Sequence, residues 1–430
     1  MAEKNAFDRI IGYEDVKAEL HELADVLKDP EKYARLGVRP PKGLLLYGVP
    51  GIGKTLMAGC LTEASGRKAF TCRKSGGKDS FTAAIRTVFK EASESAPSIV
   101  LLDDMDKFAN DDEWHINSEE FVTVQTCIDE FCTRGVFVIA TANSLDLLPE
   151  SLIRKGRFDR RIEVTKPDPE SAAEIVRHYL ADKKTVGDID CELIAAILGG
   201  ESCATLETIV NEAGIQAGMA DRTLIGMEDM IRACVRVLYN APAALSKTQV
   251  KNMDRIACHE AGHALMAELL EPGSVHLVSI CHGSGSVGGV TTSGYGRNQI
   301  SRKEMEREIM VTLAGRAAVE LVFGDMDPGA AGDMKKAAWM INDAIKTYFI
   351  FGPEMRGIGD SELHSVRKEE YISRELERYA MDARRLLAEN RGMLDRLMQR
   401  LMEQHTLVGP EIRDAIEGAA GKKDRRVHAA

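Results

Sequence analysis

The run Leu44-Leu-Leu-Tyr47 followed by Gly48-Val-Pro-Gly-Ile-Gly-Lys-Thr55 is the stretch of this 430-residue sequence from which its fold follows. The apolar run predicts a buried strand, and the next eight residues fit the pattern G-x-x-x-x-G-K-[ST]. In such a loop the backbone N–H groups surround phosphates, the lysine adds a positive charge and the threonine hydroxyl binds magnesium. The stretch therefore predicts a strand, a phosphate-binding loop and a helix whose N-terminal dipole favours an anion.

The surrounding pattern extends this unit into a sheet. Short apolar runs recur at 99–103 and 136–140, and the amphipathic stretches 81–95 and 117–133 separate the runs. Strands that alternate with helices indicate an α/β fold, a parallel sheet covered by helices on both faces. We expect nucleotide contacts from the loop and from the residue after it, namely Gly48, Val49, Pro50, Gly51, Ile52, Gly53, Lys54, Thr55 and Leu56.

Polar residues follow the later strands of this predicted sheet. Asp103 is placed to hold magnesium and Asp104 to polarise the attacking water, unless both are solvated acids at an ordinary strand end. Asn143 ends the next strand and can orient the same water. The segment Gly156-Arg-Phe-Asp-Arg-Arg161 then adds three arginines, and phosphoryl transfer is helped by arginines supplied from a neighbour. Taken alone, these arginines fit a solvated surface better.

A second chemical signature, His259-Glu-Ala-Gly-His263, lies far along the chain. On a helix the two histidines are four residues apart, so both imidazoles reach one metal ion from the same face. Glu260 can take a proton from the attacking water. Short matches of this kind occur by chance, but the small apolar residues around this one favour a zinc hydrolase. A third ligand is needed, and spacing does not choose among His276, His282, Asp325, Asp327 and Asp333.

The second half also contains Gly283-Ser-Gly-Ser-Val-Gly288, which spells G-x-G-x-x-G. More glycine and two threonines follow it, not a helix, so we expect a glycine-rich hairpin or strand and no dinucleotide site.

Changes in pattern along the chain predict its domains. Pro167-Asp-Pro169 ends the α/β domain, assigned to 1–167. We expect a small helical lid at 168–238, a linker at 239–250, a mostly α-helical zinc metalloprotease domain at 251–418 and a polar tail at 419–430.

Composition limits the partners and the compartment. The net charge is -11, which disfavours non-specific nucleic-acid binding. No apolar run approaches the roughly 18 residues needed to span a bilayer. Nine cysteines without a C-x-x-C pair indicate reduced thiols. We therefore expect a cytoplasmic protein, the alternative being a membrane anchor formed by helices upstream of this sequence.

With these residues in hand, the chain resembles the FtsH-type AAA proteases from about Phe7 to about Ile416. The resemblance rests on motifs in a fixed order: the phosphate-binding loop, the strand ending in Asp103-Asp104, Ala140 to Asn143, Gly156 to Arg160, Val210-Asn-Glu-Ala213 and the helix with His259.

The resemblance implies a homo-oligomer, a hexameric ring with ATP and magnesium at subunit interfaces and zinc in the protease domain. It implies that Arg157 and Arg160 are arginines supplied to a neighbouring subunit, that Ile11-Gly12 holds adenine, and that His178 lies near the nucleotide. The family's third zinc ligand is an aspartate in a segment that corresponds to Gly329-Ala-Ala-Gly-Asp333, which selects Asp333.

The chain departs from the family pattern in three places. The family has membrane-spanning helices before its ATPase domain, and this sequence has none. Asp104 stands where the family has glutamate, so the carboxylate is one methylene shorter and ATP hydrolysis is expected to be slow. The aromatic-hydrophobic-glycine segment that grips substrate has no clear counterpart, because Cys72-Arg-Lys-Ser-Gly-Gly-Lys-Asp-Ser80 is polar.

The sequence therefore predicts an ATP-dependent zinc metalloendopeptidase that degrades proteins. One alternative is a zinc peptidase whose ATPase module mainly assembles the ring and which cuts only unfolded polypeptides. A second alternative is a nucleotide-gated interaction ring without motor function.

Overall fold

The computed structural model describes residues 5–37, 39–74, 78–109, 118–241, 252–281, 289–292, 301–325, 330–345 and 362–418. The chain divides into two compact units, residues 1–183 with 200–208 and residues 184–199 with 209–430. The division falls inside the segment expected to be a helical lid, so the domain boundaries given above stay predictions.

A parallel five-stranded sheet forms the centre of the first unit. Its order is β2-β3-β4-β1-β5, and the strands are β1 (Gly43–Tyr47), β2 (Lys68–Cys72), β3 (Ser98–Leu102), β4 (Val136–Ala142) and β5 (Arg160–Glu163). The predicted α/β fold is confirmed, and β1, β3 and β4 lie where the apolar runs predicted strands. The edge strands β2 and β5 were missed, because edge strands bury few side chains and so lack an apolar run; in β5 only Ile162 is buried.

Helices cover both faces of this sheet. The helices of this unit are α1 (Glu14–Lys28), α2 (Pro30–Ala34), α3 (Lys54–Ser65), α4 (Lys78–Glu94), α5 (Ser118–Phe131), α6 (Glu150–Ile153) and α7 (Pro169–Leu180), and α1 with α3 on one face and α4 with α5 on the other pack on the sheet. Leu44 and Leu46 pack with residues of α1 and α3, whereas Leu45 packs with residues of α4 and α5. Because alternate side chains of a strand point to opposite faces, these contacts show one apolar layer on each side of β1.

Most of the second unit is helical. Its helices are α8 (Cys191–Ile197), α9 (Cys203–Met219, which begins in the first unit), α10 (Met227–Tyr239), α11 (Met253–Leu270), α12 (Arg302–Phe323), α13 (Ala331–Asp343), α14 (Glu362–Glu389), α15 (Arg391–Gln404) and α16 (Gly409–Glu417). The predicted mostly helical second domain is thus confirmed. Among the described residues, no helix is long and apolar enough to cross a membrane.

A small antiparallel sheet, which the sequence did not predict as a whole, completes the second unit. Its order is β7-β6-β8, with β6 (Val275–Ser279), β7 (Gly289–Thr292) and β8 (Thr406–Val408). The glycine-rich run 283–288 lies outside the described residues, and β7 begins directly after it. Both β6 and β7 pack against α11.

Helix α11 is buried on almost every side, because small residues let its neighbours approach closely. Ala257, Cys258, Ala261 and Ala264 are completely buried. At Gly262 an added Cβ would lie 2.6 Å from the carbonyl oxygen of Ala314 in α12. Glycine is therefore required where α12 crosses α11, and this close crossing positions the metal centre described next.

Candidate metal centre and nucleotide site

Three side chains from two helices converge on one point in the second unit. His259 and His263 lie one turn apart on α11, and their Nε2 atoms are 3.0 Å from each other. Asp333, in the first turn of α13, places its Oδ2 atom 3.1 Å from Nε2 of His259 and 3.5 Å from Nε2 of His263. Atoms that bind a tetrahedral zinc ion at about 2.1 Å lie about 3.4 Å apart, so this triangle fits zinc.

A hydrogen bond fixes the tautomer in which His263 faces the candidate metal position. Its Nδ1 donates a hydrogen bond to the carbonyl oxygen of Val311, at 2.7 Å. The proton is then on Nδ1, which leaves the lone pair of Nε2 directed at the metal position. Burial raises the pKa of Asp333, but the two imidazoles beside its carboxylate outweigh burial and hold its pKa far below the usual value.

The structure separates the five residues that the sequence offered as a third ligand. Among the described residues, only His259, His263 and Asp333 form a group of three close enough to share a metal ion. His276 lies on β6, and Asp325 is paired with Arg255 at 3.4 Å. His282 and Asp327 lie outside the described residues. Asp333, the choice that the family resemblance implied, is the candidate that the geometry places at the histidines.

Glu260 lies beside the first histidine and is almost completely buried, with 4% of its surface exposed. Burial raises the pKa of this carboxyl group, although the nearby histidines lower it. A carboxylate whose pKa has moved towards neutrality is suited to accept a proton during catalysis. The position next to a candidate metal ligand fits the proton acceptor role predicted for Glu260.

Gly315 of α12 forms the wall of the metal position. A Cβ added there would lie 2.7 Å from Nε2 and 2.8 Å from Cε1 of His259, and closer still to Nε2 of His263. A zinc ion bound to both Nε2 atoms needs this same space. Sequence reasoning did not identify Gly315; the available signal was a glycine inside a long helical pattern, which often marks close packing.

In the first unit, the phosphate-binding loop joins β1 to α3 as predicted. Gly53 caps α3 with a φ of 92°, a conformation that favours glycine. The Lys54 ammonium group is folded over the loop and donates hydrogen bonds to the carbonyl oxygens of Gly48 (2.6 Å) and Val49 (2.9 Å) and to Oδ1 of Asn143 (3.2 Å). Burial lowers the pKa of Lys54, opposed by the nearby aspartates. The lysine is thus already at the place where phosphates would bind.

Asp103 is the most enclosed carboxylate of this site, with 2% of its surface exposed. Its Oδ1 accepts hydrogen bonds from the hydroxyls of Thr55 and Thr141, both at 2.9 Å. Burial opposes its ionisation, but hydrogen bonds, the strongest from Arg73, outweigh burial and lower its pKa. An ionised carboxylate beside the Thr55 hydroxyl is the arrangement that magnesium requires.

The Arg73 guanidinium occupies the other side of Asp103. Its Nε donates to Oδ2 at 2.7 Å, and its Nη2 makes a shorter contact with the same oxygen. Arg73 and Lys74 belong to the polar segment that stands in place of the family's substrate grip. Arg73 is paired with Asp103 although 67% of its side chain is exposed, and Lys74 donates to the carbonyl oxygen of Lys107 at 3.0 Å.

Asp104 and Asn143 complete the set that the sequence predicted around the terminal phosphate. Asp104 has a φ of 55°, rare for a residue other than glycine, and its carboxylate accepts a hydrogen bond from Lys107 at 2.6 Å. Asn143 bridges Lys54 and Asp106, since its Nδ2 donates to Oδ2 of Asp106 at 2.9 Å. Asp106 was not identified from the sequence.

The two arginines expected to serve a neighbouring subunit have different environments. Arg157 is 5% exposed and donates to both carboxylate oxygens of Asp129, at 3.0 and 2.6 Å, and to the carbonyl oxygen of Ser151. In this structure the Arg157 guanidinium is held inside its own unit, and its role towards a neighbouring subunit stays a prediction. Arg160 begins β5 and has 54% of its side chain exposed, 4.0 Å from Glu22.

The segment expected to hold adenine lies against α7. An added Cβ on Gly12 would overlap the side chain of Ser171 in the first turn of that helix. Helix α7 also carries His178, which is exposed and makes an edge-to-face ring contact with Tyr179. Ile11 is half-buried, and Leu56 of α3 is 44% exposed. The structure brings Gly12 and the helix of His178 together, and their contacts with a nucleotide stay a prediction.

Comparison with known proteins agrees with both sites. Residues 44–166 match the ATPase family associated with various cellular activities (AAA), and residues 246–415 match peptidase family M41. Over 97% of its length the chain is 32% identical to an ATP-dependent zinc metalloprotease FtsH of Caldicellulosiruptor bescii and covers 73% of that protein. The chain belongs to the FtsH family of ATP-dependent zinc metalloproteases.

Other FtsH relatives match the chain with similar identity and coverage. The chain is 32% identical to the Thermus thermophilus FtsH over 97% of its length, covering 71% of that relative, and 30% identical to the Caulobacter vibrioides FtsH over 97%, covering 72%. As an FtsH-family enzyme the chain is a hydrolase that uses zinc, ATP and magnesium. The cytoplasmic location stays a prediction.

Membership of the FtsH family leads to a test of whether the short side chain of Asp104 limits ATP hydrolysis. We expect Asp104→Glu to raise the rate of ATP hydrolysis several-fold, because the longer side chain brings the carboxylate closer to the attacking water. Phosphate release at saturating ATP and magnesium measures this rate, and nucleotide affinity serves as the control that should not change. An unchanged or lower rate would mean that the site has adapted to aspartate, with Lys107 as its partner.

Proposed function

We propose that this FtsH-family chain assembles into a hexameric ring and cuts loosely folded polypeptides in an ATP-dependent manner. The observation that carries the proposal is the triangle of His259, His263 and Asp333 with the buried Glu260 beside it. A nucleotide site with Lys54 and Asp103 in place supports the dependence on ATP.

Each residue of the metal centre has a defined task in this proposal. His259, His263 and Asp333 hold zinc, which when bound supplies Lewis acidity to the scissile carbonyl and the attacking water. Glu260 accepts a proton from that water and passes it to the leaving amine. The carbonyl of Val311 keeps His263 in the ligand tautomer, so the centre is organised before substrate arrives.

In the nucleotide site, Lys54 places its charge on the phosphates, and Thr55 with Asp103 holds magnesium. Asp104 polarises the attacking water, and Asn143 orients it. Arg73 binds Oδ2 of Asp103, whereas the Thr55 hydroxyl donates to Oδ1, the oxygen on the side where magnesium is proposed. The short Asp104 supports slow hydrolysis and keeps the assembly-only ATPase as the second candidate.

A ring with nucleotide at subunit interfaces needs an arginine that reaches a neighbouring subunit. The exposure of Arg160 supports this role, whereas Arg157 is a positioning residue that ties β5 to α5 through Asp129. The hexameric state itself is part of the proposal.

We expect Arg160→Ala to abolish ATP hydrolysis and to be partly rescued by mixing with Lys54→Ala subunits. A subunit that lacks only its lysine still lends its arginine to the intact pocket next to it. Arg157→Ala is the matched comparison: its main effect should be a lower unfolding temperature, because the buried guanidinium and its hydrogen bonds to Asp129 and to the carbonyl oxygen of Ser151 are lost. ATPase assays on rings shown to be mixed measure the rescue. Complementation by Arg157→Ala instead of Arg160→Ala would reverse the two assignments.

The part of the chain that corresponds to the family's substrate grip supports weak unfolding. Cys72 is buried, and Arg73 is bound to Asp103. Phe81 and Phe89, the aromatic residues that follow, are 1% and 0% exposed in the core. Residues 75–77 lie outside the described part of the chain. An aromatic grip on a passing polypeptide therefore has no candidate among the described residues between Phe70 and Phe89.

The test of the proposed function compares two substrates that carry the same acidic tail, one unstructured and one a stable folded domain. We expect ATP-stimulated cleavage of the unstructured substrate and little cleavage of the folded one. Equal cleavage with and without ATP would favour the peptidase with an assembly-only ATPase. Rapid ATP-driven degradation of the folded domain would contradict the weak-unfolding prediction, and no cleavage of either would contradict the protease.

A further inference from the structure

The side chain of Tyr239 presents a polar group that the functions described so far do not use. Tyr239 is the last residue of α10, although the sequence suggested that it begins a linker. Its hydroxyl oxygen is buried, and no hydrogen-bond partner for it exists among the described residues. A buried hydroxyl without a partner is costly and uncommon, so it indicates a group that acts on something the chain binds.

The position of the Tyr239 ring places that hydroxyl at the protease half of the second unit. The ring lies on Gly289, the first residue of β7: an added Cβ there would lie 2.7 Å from the ring atom Cδ1 and closer still to Cε1 and Cζ. Strand β7 in turn packs against α11, the helix that carries His259, Glu260 and His263. The absence of a side chain at Gly289 is therefore what lets the ring approach the strand beside the metal centre.

Electrostatics agree with this placement. Burial first, and then the carboxylate of Glu260, hold the pKa of Tyr239 well above its usual value. The charged group that raises the pKa of Tyr239 most is the carboxylate of Glu260, which is the proton acceptor in the proposed reaction. Because its pKa is raised, Tyr239 stays protonated at neutral pH and acts only as a hydrogen-bond donor or acceptor, not as an anion.

A second unsatisfied hydroxyl lies on the same strand. Oγ1 of Thr291 is also buried without a hydrogen-bond partner among the described residues. Thr291 is two residues from Gly289, so both lie on the same face of β7. The orphaned hydroxyls of Thr291 on β7 and of Tyr239, whose ring lies on Gly289 of β7, fit a ligand rich in carbonyl oxygens, which a polypeptide backbone is.

We propose that the Tyr239 hydroxyl donates a hydrogen bond to the carbonyl oxygen of the scissile peptide bond and stabilises the negative charge that develops there. The inference rests on the proposed protease function. A donor aimed at developing charge in a dry site accelerates acyl transfer more than it improves binding of the substrate. The hydroxyl is then satisfied when substrate is present, which accounts for its lack of a partner among the described residues.

The test is Tyr239→Phe, assayed with an unstructured reporter peptide in the presence of ATP. We expect kcat to fall about a hundred-fold with KM nearly unchanged, as for loss of one oxyanion donor. Affinity for a phosphinic peptide, whose tetrahedral group mimics the transition state, should fall by a similar factor. Zinc content should not change, and the unfolding temperature should stay the same or rise, because no hydrogen bond within the chain is lost. Gly289→Ala, which displaces the ring, should reduce kcat as well.

The matched control is Tyr371→Phe, the same change at a half-buried tyrosine of α14. It should leave kcat and phosphinic peptide affinity at the wild-type values. The inference is overturned if Tyr239→Phe keeps the wild-type kcat, if Tyr371→Phe lowers kcat by as much, or if Tyr239→Phe leaves the affinity for the phosphinic peptide unchanged. Peptide cleavage by the wild-type enzyme distinguishes failure of the proposed function from failure of this inference. If the wild-type enzyme does not cleave the peptide, the proposed protease function is wrong. If it does, the variants test only the role of Tyr239.

Discussion

Glu260→Gln is expected to lower peptide-bond hydrolysis by about a thousand-fold or more while zinc stays bound. The amide has nearly the shape of the carboxylate but cannot accept the proton from the attacking water. His259, His263 and Asp333 are unchanged in this variant, so the metal keeps its ligands. Metal analysis tests whether zinc stays bound, and cleavage of an unstructured polypeptide by the same preparation tests whether hydrolysis is lost.

Helix α11 offers a matched control for Glu260→Gln two turns further on. Glu268 is also buried, but its carboxylate accepts hydrogen bonds from the backbone N–H groups of Gly273 and Val275, each at 2.8 Å. Glu268→Gln should therefore lower stability and leave the hydrolysis rate per folded molecule near the wild-type value. Loss of zinc in Glu260→Gln, or equal loss of activity in both variants, would contradict the assignment of Glu260 as the general base.

Gly315→Ala is expected to weaken zinc binding by about a hundred-fold or more, the upper range for changes around metal ligands. The added methyl group takes up the space in which both imidazole Nε2 atoms meet the metal. Proteolysis should be lost with the metal, whereas ATP binding, which uses residues of the other unit, should persist. Titration of the metal-free protein with zinc measures the first effect, and nucleotide binding measures the second.

Substitutions of two other glycines distinguish a loss of zinc binding from a loss of helix packing. Gly218→Ala in α9 is the neutral control, because its added methyl group meets nothing within 4 Å and alanine favours helices. Gly262→Ala introduces a clash with Ala314 at the same helix crossing and should lower the unfolding temperature. If Gly315→Ala binds zinc as tightly as Gly218→Ala does, the interpretation of Gly315 is wrong.

Much of the active machinery could be predicted from local sequence because local geometry determines it. A phosphate-binding loop needs a strand, glycines, a lysine and a hydroxyl residue in one order, so Gly48 to Thr55 predicted β1, α3 and the nucleotide site together. The pair His259 and His263 needs only one helical turn to face one metal. Apolar runs likewise predicted β1, β3 and β4, which are buried from both sides.

What the sequence left open depends on contacts between distant segments. The third metal ligand comes from α13, seventy and more residues after the histidines, and only the packing of that helix brings Asp333 to within 3.1 Å of His259. The edge strands β2 and β5 bury too little surface to leave an apolar pattern. Arg157, which its sequence context predicts to be exposed, is buried and paired with the half-exposed Asp129 of α5.

The sequence by itself therefore determined the two chemistries, nucleotide binding and zinc-dependent hydrolysis, because each motif is contiguous and its geometry is that of one loop or one helix. Only the tertiary structure decided which aspartate meets the histidines, which arginine is exposed, that Arg73 binds Asp103, that Gly315 borders the metal position, and that the Tyr239 ring lies on the strand packed against α11. The physical reason is that spatial neighbours from different elements are set by packing, and a packing contact leaves no fixed spacing along the chain.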